Sequence, residues 1–201
     1  MKKVIFAIDC DEVLRSLISS MVKLYNREFN ENLKYSDIKD FMVDVSFPKI
    51  LEETGTTGSK WFFQDHSTEM FLESRAMPKI REAIDILKKY GEVIIVTYQK
   101  SFQNKIETLN WLEKHKIIVD GICFLKDKTI LKANKDEQLI FIDDNDWNMI
   151  GSQADIGILI EAPYNKEVNI NELQKKSNCK QILYYKSLYE FAKDFEKGKI
   201  V

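Results

Sequence analysis

The sequence predicts an α/β fold: a parallel β-sheet covered by helices, with a small helical insert directly after the first strand. Three observations carry that prediction. Short β-branched apolar runs alternate with stretches of helical periodicity along most of the 201 residues, the pattern of a sheet built from strand–helix–strand units. Residues 30–76 break this rhythm, with no strand-like run and many aromatics. The strand-like runs also finish on polar residues, most of them acids, at the edge where open parallel sheets bind their ligands.

Val4–Ile8 is the first strand, a short apolar run bounded by Asp9. Leu17, Met21, Leu24, Tyr25 and Phe29 recur at helical spacing and predict a helix over 16–29. The insert that follows carries Phe41, Phe47, Trp61, Phe62, Phe63 and Phe71. Phe41, Trp61, Phe62 and Phe71 are expected to make its own small core. Its loop "ETGTTGSK" lacks the glycine spacing of a phosphate-binding loop at Gly55 and Gly58, so a surface turn is expected.

After Pro78, the stripe Ile80, Ala83, Ile84 and Leu87 predicts a second helix with Gly91 as its C-cap. "EVIIVT" is the second strand, and a helix over 102–115 follows with Ile106, Leu109 and Leu112 on its apolar face. "GICFL", "QLIFIDD" and "IGILI" are the third, fourth and fifth strands. "QILYY" is an edge strand, and a last helix covers 188–195.

Composition narrows the function classes. Apolar content of 44% and charged content of 31% are those of a soluble globular protein. A formal net charge of −2, with acids and bases interspersed, gives no electrostatic case for a nucleic acid polymer or an anionic membrane as partner. The apolar stretch of "MKKVIFAIDCDEVL" is too short for a signal peptide and runs into acids. Cys10, Cys123 and Cys179 form no CxxC pair, so reduced thiols and a cytoplasmic location are expected. With His66 and His115 as the only histidines, the sequence speaks against a His-rich zinc site. A homodimer is left open.

The strand ends hold the chemistry. The first strand leads into Asp9 and Asp11, the second ends in Thr97, and the fourth ends in Asp143 and Asp144. Lys126 and Lys128 follow the third. Singly, each has an ordinary reading: acids that start a turn, an N-cap for the helix around Trp147 and Ile150, or a surface lysine. Together they do not. Like charges some 5 Å apart cost roughly 3 kcal/mol per pair at an effective dielectric near 20. A hard divalent cation with oxygen ligands removes that cost, and Mg²⁺ typically pairs one or two carboxylates with a substrate phosphate. The cluster predicts Mg²⁺ and a small phosphorylated substrate.

"DCDEV", a strand ending in Thr97, a lysine and then "IDD" resemble, in this order, the four motifs of the haloacid dehalogenase-like phosphohydrolases. Within that superfamily, "DCDEVL", "AMPKIREAIDILKKYGEVIIVT", "NKIETLNWLEKH", "KDKTIL" and "FIDDN" are most similar to the 5'(3')-deoxyribonucleotidase family, from about Ile5 to Asp146. The resemblance implies a three-layer α/β/α core from 1–15 and 77–201, and a mostly helical cap over 16–76. It implies a Mg²⁺-dependent phosphomonoesterase acting on a nucleoside or deoxynucleoside monophosphate. A phosphatase of sugar phosphates or other metabolites and a non-catalytic nucleotide-binding relative are the alternatives.

The implied roles are specific. Asp9 is the nucleophile and Asp11 the general acid and base. Thr97 binds the phosphoryl oxygens, and Lys128 offsets the charge between phosphate and Asp9. Asp143 and Asp144 hold Mg²⁺ with the Asp9 carboxylate and the backbone carbonyl of Asp11. Tyr98 and Lys105 join Thr97 and Lys128 on the substrate side. The chain departs from the family pattern at Glu12 (often Gly), at Tyr98 (often small), at Arg15 (often small or an acid), and in an apparent insertion, "NKDEQ", that leaves Lys126 as a rival to Lys128. A side chain at Glu12 is expected to point away from the phosphate or to alter the site. Strand alternation turns Cys10 away from both acids.

Overall fold

A computed structural model describes residues 2–200. Six strands form one sheet: β1 (Lys3–Ile8), β2 (Gly91–Thr97), β3 (Gly121–Phe124), β4 (Glu137–Asp143), β5 (Ile156–Ile160) and β6 (Gln181–Tyr185). Their order is β3-β2-β1-β4-β5-β6, and every paired neighbour runs parallel. β6 lies at an edge, as the sequence predicts, and β1 is central between β2 and β4. The carboxyl ends of β1 and β4 are level, because Ile8 pairs with Ile142. That register sets Asp9 beside Asp143.

Alternation along the strands fills two cores. Phe6 and Ile8 of β1, Val93 and Ile95 of β2, and Ile140 and Ile142 of β4 pack on one face. They meet α6 (Ile80–Leu87), α7 (Phe102–Lys114) and α10 (Leu188–Glu196), which supply Ile84, Trp111 and Phe191. Ala7, Val96, Leu139 and Phe141 point to the other face, against α8 (Asp146–Gly151) and α9 (Ile170–Lys176) through Met149 and Leu173. A period-2 pattern with both faces buried is what a three-layer parallel sheet requires.

Between β1 and β2 the chain is helical, as predicted. It forms α1 (Leu17–Phe29), α2 (Val43–Ser46), α3 (Lys49–Thr54), α4 (Gly58–Lys60), a π-helical turn (Trp61–Asp65) and α5 (Ser67–Phe71). These elements share a third apolar cluster built on Met21, Tyr25, Phe47, Ile50 and Phe62. Trp61, Phe62 and Phe71 are buried in that cluster, but Phe41 is 59% exposed and packs edge-on with the Tyr164 ring. Phe41 sits at a bend outside any helix, two residues before α2 begins. The Gly55 loop joins α3 to α4: Gly55 ends α3 in the left-handed conformation, and Thr57 caps α4.

Two other expectations give way. Leu109 is exposed, and the buried face of α7 is instead Asn104, Glu107, Thr108, Trp111 and Leu112, because the helix packs on the polar underside of the insert as well as on the sheet. Gly91 does not cap α6, which ends at Lys88. It opens β2 opposite Val4, and a Cβ there would lie 2.3 Å from the Val4 carbonyl oxygen. Backbone on the central strand cannot yield cheaply. Gly91→Ala is expected to destabilise the protein by about 2 kcal/mol, lowering the melting temperature by about 4–8 °C in a thermal scan.

Candidate active site

The end of β1 turns sharply. Asp9 N–H still donates to the Ile142 carbonyl (2.8 Å), continuing the sheet by one residue. The Leu14 and Arg15 N–H groups then return to the Cys10 carbonyl (2.9 and 3.0 Å). This turn holds Asp9 and Asp11 on the carboxyl edge and leaves Cys10 in the core, where burial pushes its thiol up to about 12.

β4 delivers Asp143 and Asp144 to the same place. Asn145, not either acid, caps α8 by accepting the Trp147 N–H (2.9 Å), so both aspartates are free of that duty. Asp9, Asp143 and Asp144 are 7%, 0% and 4% exposed, and each offers an oxygen within 4.8 Å of the others. Lys128, in a 3₁₀ turn (Lys128–Ile130) after β3, extends its ammonium between two of them, 2.8 Å from Asp9 Oδ1 and 2.7 Å from Asp143 Oδ2. Lys126 stays exposed. The lysine the acids draw in is Lys128.

The electrostatics follow from burial. Desolvation raises the Asp9 carboxyl above its ordinary range, with Lys128 opposing and Asp143 adding to the rise. Asp144 is raised well above it, by burial and then by Asp143 and Asp9. Burial works against the charge on Lys128, yet Asp143 and Asp9 together overcome it and push its pKa up. Asp143 accepts further bonds from the Asn145 N–H (2.8 Å) and Asn148 Nδ2 (3.0 and 3.2 Å). Tyr164 donates its hydroxyl to Asp144 Oδ2, and Asn165 Nδ2 holds the Asp144 carbonyl (2.7 Å). Asp9 Oδ1 takes the Lys128 ammonium (2.8 Å) and, among the described residues, no other donor.

Asp11 is handled differently. Its carboxylate is not one of the three gathered acids and is bound on the other side. Arg15 Nε and Nη2 donate to Oδ1 (2.8 and 2.5 Å), and Gln99 Nε2 donates to Oδ2 (3.0 Å). Thr97 ends β2 and is buried, Tyr98 beside it is 45% exposed, and Lys105 lies over the Phe124 ring (5.7 Å). Neither Tyr98 nor Lys105 joins the acid group.

Glu12 does point away from the acids. It sits in the left-handed region (φ 55°), where glycine is the unstrained residue. Its carboxylate enters the insert, accepting the Ile18 N–H at the start of α1 (2.6 Å) and the Tyr35 hydroxyl (2.8 Å). Burial pushes it up to about 7, against the pull of those two donors. A cavity of about 470 Å³ opens beside Glu12 and Tyr35, toward Lys79 and Leu188. The three acids do not line it, so the site chemistry lies elsewhere.

Sequence reasoning missed Gln99, Asn148, Tyr164 and Asn165. Gln99 and Tyr164 lie just beyond the carboxyl ends of β2 and β5, so the rule that found the acids also marks these two. Asn148 carries no such signal.

Residues 2–188 match the family model described as 5' nucleotidase, deoxy (pyrimidine), cytosolic type C protein. The chain is 29% identical over 173 residues to a 5'(3')-deoxyribonucleotidase of Bacillus subtilis (strain 168), covering 84% of this chain and 91% of the relative. A 5'(3')-deoxyribonucleotidase of Bacillus phage SPbeta matches equally. Among solved structures, a haloacid dehalogenase-like hydrolase of Streptococcus pneumoniae superposes with a TM-score of 0.60 at 16% identity, over 97% of this chain and 98% of that one. The HAD-hydrolase YfnB of Bacillus subtilis, described as bound to magnesium, superposes at 0.61 and 15% identity, over 95% and 97%. The chain belongs to the 5'-nucleotidase family that this model describes, within the haloacid dehalogenase-like fold, and is a hydrolase of phosphoric monoesters.

Proposed function

We propose that this hydrolase is a Mg²⁺-dependent enzyme that cleaves a nucleoside or deoxynucleoside monophosphate through an aspartyl-phosphate on Asp9. The observation that carries the reading is the convergence of three buried carboxylates, Asp9, Asp143 and Asp144, at the carboxyl ends of the two central strands. Their donor set is all oxygen, and Asp9 Oδ1 has no partner among the described residues besides the Lys128 ammonium, which fits a hard divalent cation. Those three carboxylates, with the backbone carbonyl of Asp11, would hold it. When bound, the cation neutralises charge on the acids and on the phosphoryl oxygens.

The remaining steps belong to the chain. An Asp9 carboxylate oxygen attacks phosphorus as the ester oxygen departs, and Asp11 gives the departing oxygen its proton. Asp11 then takes a proton from the water that attacks the acyl phosphate, releasing inorganic phosphate and restoring Asp9. Lys128 balances the charge between phosphoryl group and Asp9, and the Thr97 hydroxyl donates to a phosphoryl oxygen. Tyr98 and Lys105 stand on the substrate side, where Tyr98 is exposed enough to meet a ligand. The insert over 16–76 serves as a cap on the core of 1–15 and 77–201, excluding water when substrate binds.

The nucleotide is favoured because the two curated relatives are 5'(3')-deoxyribonucleotidases. The three free cysteines suit a reducing cytoplasm. No described helix is long and apolar enough to cross a membrane.

A panel of phosphorylated metabolites tests the reading. Deoxynucleoside monophosphates are expected to release phosphate fastest with Mg²⁺. EDTA is expected to lower the rate by at least about 100-fold, and excess Mg²⁺ to restore it. Faster turnover of sugar phosphates would overturn the substrate class, and full activity in EDTA would overturn the cation.

A further inference from the structure

We infer that Arg15, together with Gln99, is a positioning device for Asp11, and that it ties the placement of this carboxylate to the seating of the helical insert. The inference rests on the acid–base part assigned to Asp11 above.

Arg15 is fully buried, at 0% exposure. A guanidinium withdrawn from water needs a counter-charge and partners for its N–H groups. Among the described residues its one ion pair is with Asp11. Nε and Nη2 both reach the same oxygen, Oδ1. Nη1 donates to the Phe71 carbonyl (2.8 Å), and Thr108 Oγ1 lies 3.4 and 3.5 Å from Nη2 and Nη1. The faces of the guanidinium are covered by the Phe71 and Trp111 rings, 4.9 and 5.3 Å away. The Trp111 ring is itself fixed by its Nε1–H bond to the Ser74 carbonyl (2.7 Å).

These contacts come from three parts of the fold. Phe71 is the last residue of α5 in the insert, Thr108 and Trp111 belong to α7 on the core, and Asp11 lies on the loop after β1. The guanidinium is the point where all three meet. If α5 lifts, the Phe71 carbonyl and ring leave together, and the fork that fixes Asp11 Oδ1 loses part of its support. Gln99 holds the other oxygen from the β2 side. A carboxylate bound at both oxygens is defined in direction, which a group exchanging protons with one ester oxygen requires. Asp11 keeps 24% of its side-chain surface exposed, so it can still face a ligand.

The bland alternative is a buried arginine that only pins α5 to α7. Leaving-group dependence separates the two. p-Nitrophenolate departs without a proton, whereas a nucleoside oxygen needs one. A misdirected Asp11 therefore slows phosphoryl transfer from a nucleotide but not from p-nitrophenyl phosphate. Gln99→Leu removes one hold on Asp11 without unpairing the buried charge, and Arg15→Lys keeps the charge without the fork.

Single-turnover and burst kinetics with dTMP and with p-nitrophenyl phosphate, in saturating Mg²⁺, provide the measurement. Both variants are expected to transfer the phosphoryl group from dTMP about 10-fold or more slowly, with KM within about twofold. The p-nitrophenolate burst is expected at the wild-type rate, followed by slower steady turnover as Asp11 fails the water. Equal slowing with both substrates, or unchanged kinetics in folded Gln99→Leu, would overturn the inference. Asp11→Asn serves as the reference. If it alone shows the leaving-group split, Asp11 keeps its part and only the positioning device falls. If it shows none, the acid–base reading falls as well.

Discussion

Asp9→Asn is expected to lower kcat on a deoxynucleoside monophosphate by roughly 10³-fold or more while leaving the protein folded. The substitution keeps shape and volume but replaces an anionic oxygen with an amide, which cannot form the acyl phosphate. The fold gives no substitute nucleophile at that point. Asp143 is already engaged by Lys128, Asn145 and Asn148, Asp144 takes the Tyr164 hydroxyl, and the Cys10 thiol is turned into the core. Acid quenching of a reaction with radiolabelled substrate should trap protein-bound phosphate in the wild type, released by hydroxylamine, and none in Asp9→Asn. Near wild-type turnover by the purified variant would remove Asp9 as nucleophile.

The same variant makes an independent prediction about stability. A carboxyl whose pKa rises on folding adds stability below its ordinary pKa and loses it as the pH climbs through the folded value. Burial raises Asp9 in this way, so at pH 8 its ionised form is a net cost to the metal-free fold that an amide does not carry. The metal-free variant should therefore melt no lower than the metal-free wild type at pH 8. Mg²⁺ should stabilise the wild type more than the variant.

Much of the architecture was legible because its signals are local. Strand runs such as "VIFAI" and "QLIFI" are buried on both faces and read as continuous apolar segments. The rule that ligands gather at carboxyl strand ends then selects Asp9, Asp143 and Asp144. What stayed hidden depends on which way a side chain points across the fold. Lys126 and Lys128 are two residues apart, and only the 3₁₀ turn decides which one enters the site. Gly91 looks like a helix stop, because its real constraint is the Val4 backbone on another strand. Leu109 fits the stripe of α7, but the buried face there includes Glu107 and Thr108, which serve the insert and Arg15. Glu12 is a departure that explains itself only in three dimensions, as a left-handed residue whose carboxylate caps α1.

Lys128→Met is expected to have the second largest effect, and it acts on folding and catalysis together. The side chain is nearly isosteric with lysine up to the ammonium, so the core around it need not collapse. Its loss leaves Asp9, Asp143 and Asp144 buried without their cation. Removing one partner of a buried ion pair costs about 3–5 kcal/mol. That corresponds to a fall in melting temperature of about 6–20 °C for a chain of this size. Mg²⁺ should recover part of that loss, since any cation placed among the carboxylates relieves the repulsion, and the recovery should exceed the stabilisation Mg²⁺ gives the wild type. Catalysis should not recover with it. The ammonium stands 2.8 Å from Asp9 Oδ1, where the proposed mechanism shifts charge from nucleophile to phosphoryl group, and a preorganised charge of this kind is worth about 10²–10³ in kcat. Lys126→Met is the control: exposed at the surface, it should leave melting temperature, Mg²⁺ response and kcat unchanged. A Lys126→Met variant that lost activity while Lys128→Met kept it would reverse the assignment of the catalytic lysine.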